Sequence, residues 1–223
     1  GTQVEGGKKF TGKLNQPPDS IGQIRNTASG YYANAANATD TKLYADSAVV
    51  AYKTPAGEGQ SIDAKPIVTT HAGPIDGAPL LDDQLTTILT IPAPQGGGAA
   101  WVQYEFPQPF TARSITLGGT GGSAAGIPVG RVLASDDGRT FRTLVTLPGT
   151  QLYRQSMLRT YVFPQTTAKF YRIEMTGAPI GPAPTMSQVP TAPAAQYRLS
   201  EAVLHSGARL HRWEEKAGFS FLF

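Results

Sequence analysis

The sequence has no cysteine. That excludes a disulfide framework and a thiolate zinc site. Charge is also scarce: 16% of the 223 residues are Asp, Glu, Lys or Arg, and the formal net charge is only +3. Lys8, Lys9, Arg113, Arg131 and Arg172 are scattered, and no basic stripe alternates with aromatics. A nucleic-acid partner is therefore not expected. No apolar run approaches the ~18 residues that a spanning helix needs, so no membrane partner is expected either. No leader is legible. With cysteine absent, the expectation is an exported bacterial protein, secreted or periplasmic, whose leader has been removed. Helical apolar periodicity longer than two turns is also missing.

Turn-formers and short apolar stretches are plentiful. There are 25 Gly and 18 Pro, and the apolar fraction is 40%. That mixture suits many short strands joined by turns. Residues 1–42, with "VEGGKKFTGKLNQPPDS" and "SGYYANAANAT", read as an extended connector. Asn37-Ala38-Thr39 is a formal glycosylation sequon that reads as plain loop. Tyr44 to Tyr52 reads as a buried strand ended by Pro55, and "QLTTILTIP" as an alternating one. "AWVQYEFPQPF" has period 2, with Trp101, Gln103 and Glu105 on one face and Val102, Tyr104 and Phe106 on the other. "ARSITLGG", "RTYVFP" and "KFYRIEMTG" are further strands, and "YRLSEAVLHSGAR" closes the sheet. "GRVLASDDGRTFRTLVTLP" is a hairpin turning at Asp137-Gly138, where positive φ is needed. Residues 178–196 form a proline-rich loop. The fold class expected is all-β: an antiparallel β-sandwich of jelly-roll type with less than about a tenth helix.

Several stretches then carry a resemblance. "LLDDQLTT", "WVQYEFPQPFTARSITL", "VLASDDGRTFRTL", "AKFYRIEM" and "LSEAVLH" fall in the order found in discoidin-like, or galactose-binding-like, domains. They cover residues 75–205. The flanking "VEGGKKFTGKLNQPP", "YADSAVVAYKTP" and "RWEEKAGF" resemble segments of glycoside hydrolase family 106, the α-L-rhamnosidases. This resemblance implies a β-sandwich inserted in a catalytic barrel. The implied division is 1–42 as connector from the parent catalytic domain, 43–209 as sandwich and 210–223 as the re-entry segment. The apolar ending "FSFLF" would then be covered by the barrel in cis. The ends of the sandwich, near Leu43 and Arg209, would leave it close together.

The resemblance also implies a structural Ca²⁺ between an Asp-Gly-Asp-x-x-Thr loop and a glutamate of the last strand. The matching residues are Asp82, Thr87 and Glu201. Asp83 stands where the family has glycine, and Gln84 where it has the second aspartate. Calcium takes six to eight hard oxygens, so carbonyls of Leu80 and Gln84 would have to join. The alternative is a hydrogen-bonded turn at Asp82 and Thr87, with Glu201 an ordinary strand residue.

Glycosidic hydrolysis needs two carboxyls flanking the bond. Asp136-Asp137 falls in a hairpin turn and Glu214-Glu215 near the chain end, and no Ser-His-Asp pattern surrounds His71, His205 and His211. No catalytic residue is therefore assigned. For saccharide contact, Tyr31, Tyr32, His71, Tyr153 and Arg154 in loops are the candidates, as aromatics beside groups that bond hydroxyls. Trp101, at a strand start, is expected to pack in the core. The reading is a non-catalytic, monomeric sandwich module of an exported glycoside hydrolase. Its partners would be the parent barrel and plant or bacterial saccharides. The alternative is a free-standing carbohydrate-binding module.

Overall fold

The computed structural model describes residues 6–12, 53, 57–84, 86–119, 127–149, 158–177 and 196–216. The chain divides into two compact units, 1–56 and 57–223. In the first, residues 6–12 are exposed and turn at Gly7, whose φ is 76°. The rest of the expected connector, the Tyr44 to Tyr52 strand and Leu43 lie outside the described residues.

The second unit is an antiparallel β-sandwich. Its strands are β1 (Ile67–Thr70), β2 (Gly73–Pro74), β3 (Leu89–Pro92), β4 (Ala100–Gly119), β5 (Val129–Ser135), β6 (Arg142–Pro148), β7 (Leu158–Met175) and β8 (Gln196–His205). Helix among the described residues amounts to single turns at Ser61–Ala64 and Trp213–Lys216 and a 3₁₀ turn at Ala78–Leu80.

Two long strands build both layers. The first half of β4 pairs with β1 on one side and β7 on the other, and β7 continues through β5 to β6. The second half of β4 pairs with the start of β7 and with β8, which carries β3. The sequence reading expected separate strands at "AWVQYEFPQPF" and "ARSITLGG", and again at "RTYVFP" and "KFYRIEMTG". The structure instead runs each pair as one continuous strand. Prolines usually end strands because they cannot donate to the ladder. Here Pro107 and Pro109 are exposed at a register shift between Glu105 and Phe110, so the ladder loses nothing there.

The period-2 expectation for β4 holds. Val102, Tyr104 and Phe106 are buried, while Trp101, Gln103 and Glu105 are only partly covered. The core gathers these three with Ile115, Leu117, Val132, Tyr161, Ile173, Leu199 and Leu204, among others. The Tyr104 hydroxyl donates to the Ala202 carbonyl at 2.7 Å and so finds a partner inside it. The β5–β6 hairpin also holds, with Gly138 at φ 72°. Its connection spans residues 136–141 and is wider than a two-residue turn. The Asp137 carboxylate accepts from the Arg139 and Thr140 N–H groups, both at 2.8 Å, and from the Ser135 hydroxyl. These donors hold its pKa well below the ordinary aspartate range.

Candidate functional site

The loop after the 3₁₀ turn carries the first group of expected site residues. Asp82 Oδ1 accepts from the Gln84 N–H at 2.9 Å, and the Thr87 hydroxyl donates to Asp82 Oδ2 at 2.6 Å. Asp83 has φ 58°, the left-handed region that glycine favours and aspartate tolerates. The left-handed backbone at this position is thus formed without a glycine.

Glu201 faces this loop. It is 4% exposed, and neither carboxylate oxygen makes a hydrogen bond. Gly118 pairs with it across β4 and β8, and a Cβ there would lie 2.7 Å from Glu201 Cβ. Glycine is what lets the strands meet at this point. Burial raises the Glu201 pKa to about 8, and the charges of Asp83 and then Asp82 add to the rise. The loop and the glutamate are therefore close enough to repel each other. A buried carboxylate without a donor, next to two aspartates, is an arrangement that a hard cation would relieve. Among the described residues no group of three Asp, Glu or His side chains converges as a ready-made ligand set. Backbone oxygens would have to complete one.

His71 lies just after β1. Its N–H donates to the Trp101 carbonyl, and its ring meets the Trp101 ring edge-on at 6.4 Å. Tyr31, Tyr32, Tyr153 and Arg154 lie outside the described residues.

Trp101 is not in the core, contrary to expectation. Alternation puts it on the open face of the sheet beside Gln103, and the cross-strand Arg172 supplies its cover. The Arg172 guanidinium lies 4.3 Å from the Trp101 ring centroid and 3.8 Å from that of Phe141. Its Nε and Nη2 both donate to Gln103 Oε1, at 3.1 and 2.6 Å. His71, Trp101, Arg172 and Phe141 thus form a ladder across this face. Arg172 and Phe141 were missed as site residues. The signal for Arg172 lay in the alternation of "YRI", which puts it on the face opposite Tyr171 and Ile173; the register then pairs "VQY" with "YRI" and places Gln103 opposite Arg172. The neighbouring Glu174 is taken by Arg131, with an Nη2–Oε1 distance of 2.6 Å.

Glu214 also departs from expectation. It is fully buried rather than loose near the chain end, and it accepts from the Thr160 N–H at 3.0 Å and the Thr160 hydroxyl at 2.6 Å.

Among the described residues no helix is long and apolar enough to cross a membrane. No curated protein matches the chain. A rhamnosidase structure from Novosphingobium sp. PP1Y is similar at 22% identity and a TM-score of 0.48, over 70% of this chain and 13% of that one. A CBM32 module of Clostridium perfringens in complex with GalNAc-β-1,3-galactose is similar at 13% identity and 0.47, over 67% of this chain and 100% of that one. Chitosan-binding module 1 of a Paenibacillus sp. IK-5 chitosanase/glucanase is similar at 18% identity and 0.45, over 66% and 98%. This chain therefore spans about an eighth of the Novosphingobium rhamnosidase. The family model of the α-L-rhamnosidases, glycoside hydrolase family 106, matches residues 1–223, and the chain belongs to that family.

Proposed function

We propose that this chain is a non-catalytic sandwich module of an exported α-L-rhamnosidase-type glycoside hydrolase. Its first role is structural, against the catalytic barrel of the same protein, and its second is shallow contact with saccharides. The observation that carries the reading is how the carboxylates are used. Asp137 ties the hairpin, Glu214 holds Thr160, and Asp82 closes its own loop. Glu174, Glu105, Asp136 and Glu58 pair with Arg131, Lys169, Arg142 and Arg209. Hydrolysis needs a proton donor and a second carboxylate facing each other across an enclosed sugar. These seven acids, committed in this way, do not supply that pair.

Calcium belongs to the same proposal. Glu201, Asp82 and Thr87 would hold it, with carbonyls of Leu80 and Gln84. The ion would supply positive charge to a buried carboxylate that otherwise has no counter-charge. The support is the donor-less Glu201 carboxylate beside Asp82 and Asp83. For saccharides, His71 stands at the edge of the Trp101 ladder, where the Gln103 amide and the Arg172 guanidinium offer donors next to aromatic rings. Tyr31, Tyr32, Tyr153 and Arg154 complete the proposed set. One ring and a few hydrogen bonds leave little free energy after ordering costs, so the affinity is millimolar at best.

The experiment is to incubate the purified chain with aryl α-L-rhamnosides, then to titrate it with rhamnose, galactose and rhamnose-containing oligosaccharides. The expected result is no turnover and weak binding. Turnover that survives removal of contaminating hydrolases would overturn the non-catalytic reading. Saturable micromolar binding would identify a true carbohydrate-binding module instead.

A further inference from the structure

Among the described residues, the first part of β7 has a strand on one side only. Around residues 158–162 it pairs with β4, whereas β5 reaches it only over residues 170–175. Its other edge points outward the Thr160 N–H, the Thr160 carbonyl and the Val162 N–H, among other backbone groups. Residues 211–214 satisfy these three. The Arg212 N–H donates to the Thr160 carbonyl at 2.7 Å. The Thr160 N–H donates to Glu214 Oε2 at 3.0 Å, and the Val162 N–H to His211 Nδ1 at 3.1 Å. Two side chains and one backbone group thus do what a neighbouring strand would do.

Two further observations show that this segment is held in place. Arg212 has φ 52°, a left-handed conformation that a non-glycine residue keeps only when its surroundings impose it. Glu214 is fully buried and anchors a hydrogen-bonded chain whose direction can be deduced. The Thr160 hydroxyl donates to Glu214 Oε1 and accepts from Trp213 Nε1 at 3.1 Å. Its one proton is spent, so at the 3.0 Å contact with Thr116 Oγ1 the Thr116 hydroxyl must donate. Thr116 is then spent too. At its 2.9 Å contact with His205 Nε2, the imidazole must be the donor. The chain runs from His205 through Thr116 and Thr160 to the Glu214 carboxylate, spanning β8, β4 and β7.

We propose that residues 211–214 are a guard over the open edge of β7, locked by Glu214, which keeps that edge from pairing with the same edge of a second copy. A bare edge offers a donor, an acceptor and a donor in strand spacing, and an identical edge can meet it about a two-fold axis. Thr160 uses a different carboxylate oxygen for its N–H and for its hydroxyl, so glutamine at position 214 puts an NH2 donor where one of the two now finds its acceptor.

The test is hydrogen exchange read by NMR on the 223-residue chain, with sedimentation over a concentration series. In the unaltered chain the Thr160, Val162 and Arg212 amides should be protected, and their exchange should depend weakly on urea, as expected for a local opening. Glu214→Gln should speed exchange at Thr160 and Arg212 by about tenfold or more. It should also promote self-association with rising concentration. His211→Ala, at an exposed side chain, should speed Val162 in a chain that still folds. His205 should be the tautomer protonated on Nε2. Unprotected guard amides in the unaltered chain would overturn the proposal, as would urea dependence equal to that of the core amides. So would lost protection in Glu214→Gln without any new association. A His205 protonated on Nδ1 would overturn the lock.

Discussion

At the scale of single residues, His205 and Glu201 sit four apart on β8 and titrate in opposite senses. Burial, with the nearby Arg209 charge, lowers the His205 pKa to about 3 from an ordinary 6.5. The folded chain therefore refuses a proton that the unfolded chain accepts. This residue's contribution to stability is complete above about pH 6.5 and is lost as the pH falls toward 3, by at most about 1.4 kcal/mol per pH unit. Urea unfolding at about pH 7 and about pH 4.5 should show that loss, and His205→Gln should reduce it. An equal loss in the variant would place the acid sensitivity elsewhere. Glu201 is raised instead, so without an ion the fold favours its protonated form. If calcium neutralises it, chelator should lower the melting temperature. The stabilisation removed would be about 2.7 kcal/mol when calcium had stood at a hundred times its Kd. Glu201→Gln should make the melting curve insensitive to chelator. A parent chain that melts identically with and without chelator would leave Asp82 and Thr87 as a turn only.

Among the elements, β5 lies against β7 at a spacing set by one residue. A Cβ on Gly130 would fall 1.9 Å from the Glu174 carbonyl oxygen, a backbone atom that cannot swing away. Gly130→Ala should therefore cost about 2–3 kcal/mol by forcing the strands apart, which thermal or urea unfolding would measure. A cost below about 0.5 kcal/mol would mean that the strands shift freely. Much of this architecture was legible. Alternation in "AWVQYEF" separated the buried Val102, Tyr104 and Phe106 from the outward Trp101, Gln103 and Glu105. The same alternation contradicted the core assignment of Trp101, where residue type was allowed to outweigh position. The continuity of β4 and β7 was not legible, because Pro107, Pro109 and Pro164 read locally as strand ends. Only the pairing shows that they stand exposed within the strands. The burial of Glu214 was hidden for another reason: its partner Thr160 lies 54 residues away, and no local pattern reports such a contact.

For the whole molecule, the hydrophobic core formed by the described residues lies between Val68 and Leu204, inside the unit 57–223. A chain shortened to residues 57–223 should keep a cooperative thermal transition and a β-type far-ultraviolet spectrum. Gradual melting with lost near-ultraviolet signal would show that residues 1–56 are needed for packing. The long central strand has a further consequence, for the order of folding. One edge of β4 can be occupied early by β7, but the other edge of its second half waits for β8. The buried bond from Tyr104 to Ala202 joins positions 98 residues apart. At ribosomal rates of about 5–20 residues per second, that delay is roughly 5–20 s. For that interval an apolar strand with an unpaired side has emerged before its partner exists. Chaperone dependence in the cell would follow from that gap in the order of synthesis, and slow refolding from urea from the same long-range pairing, even for a native state that is stable once the last strand is in place.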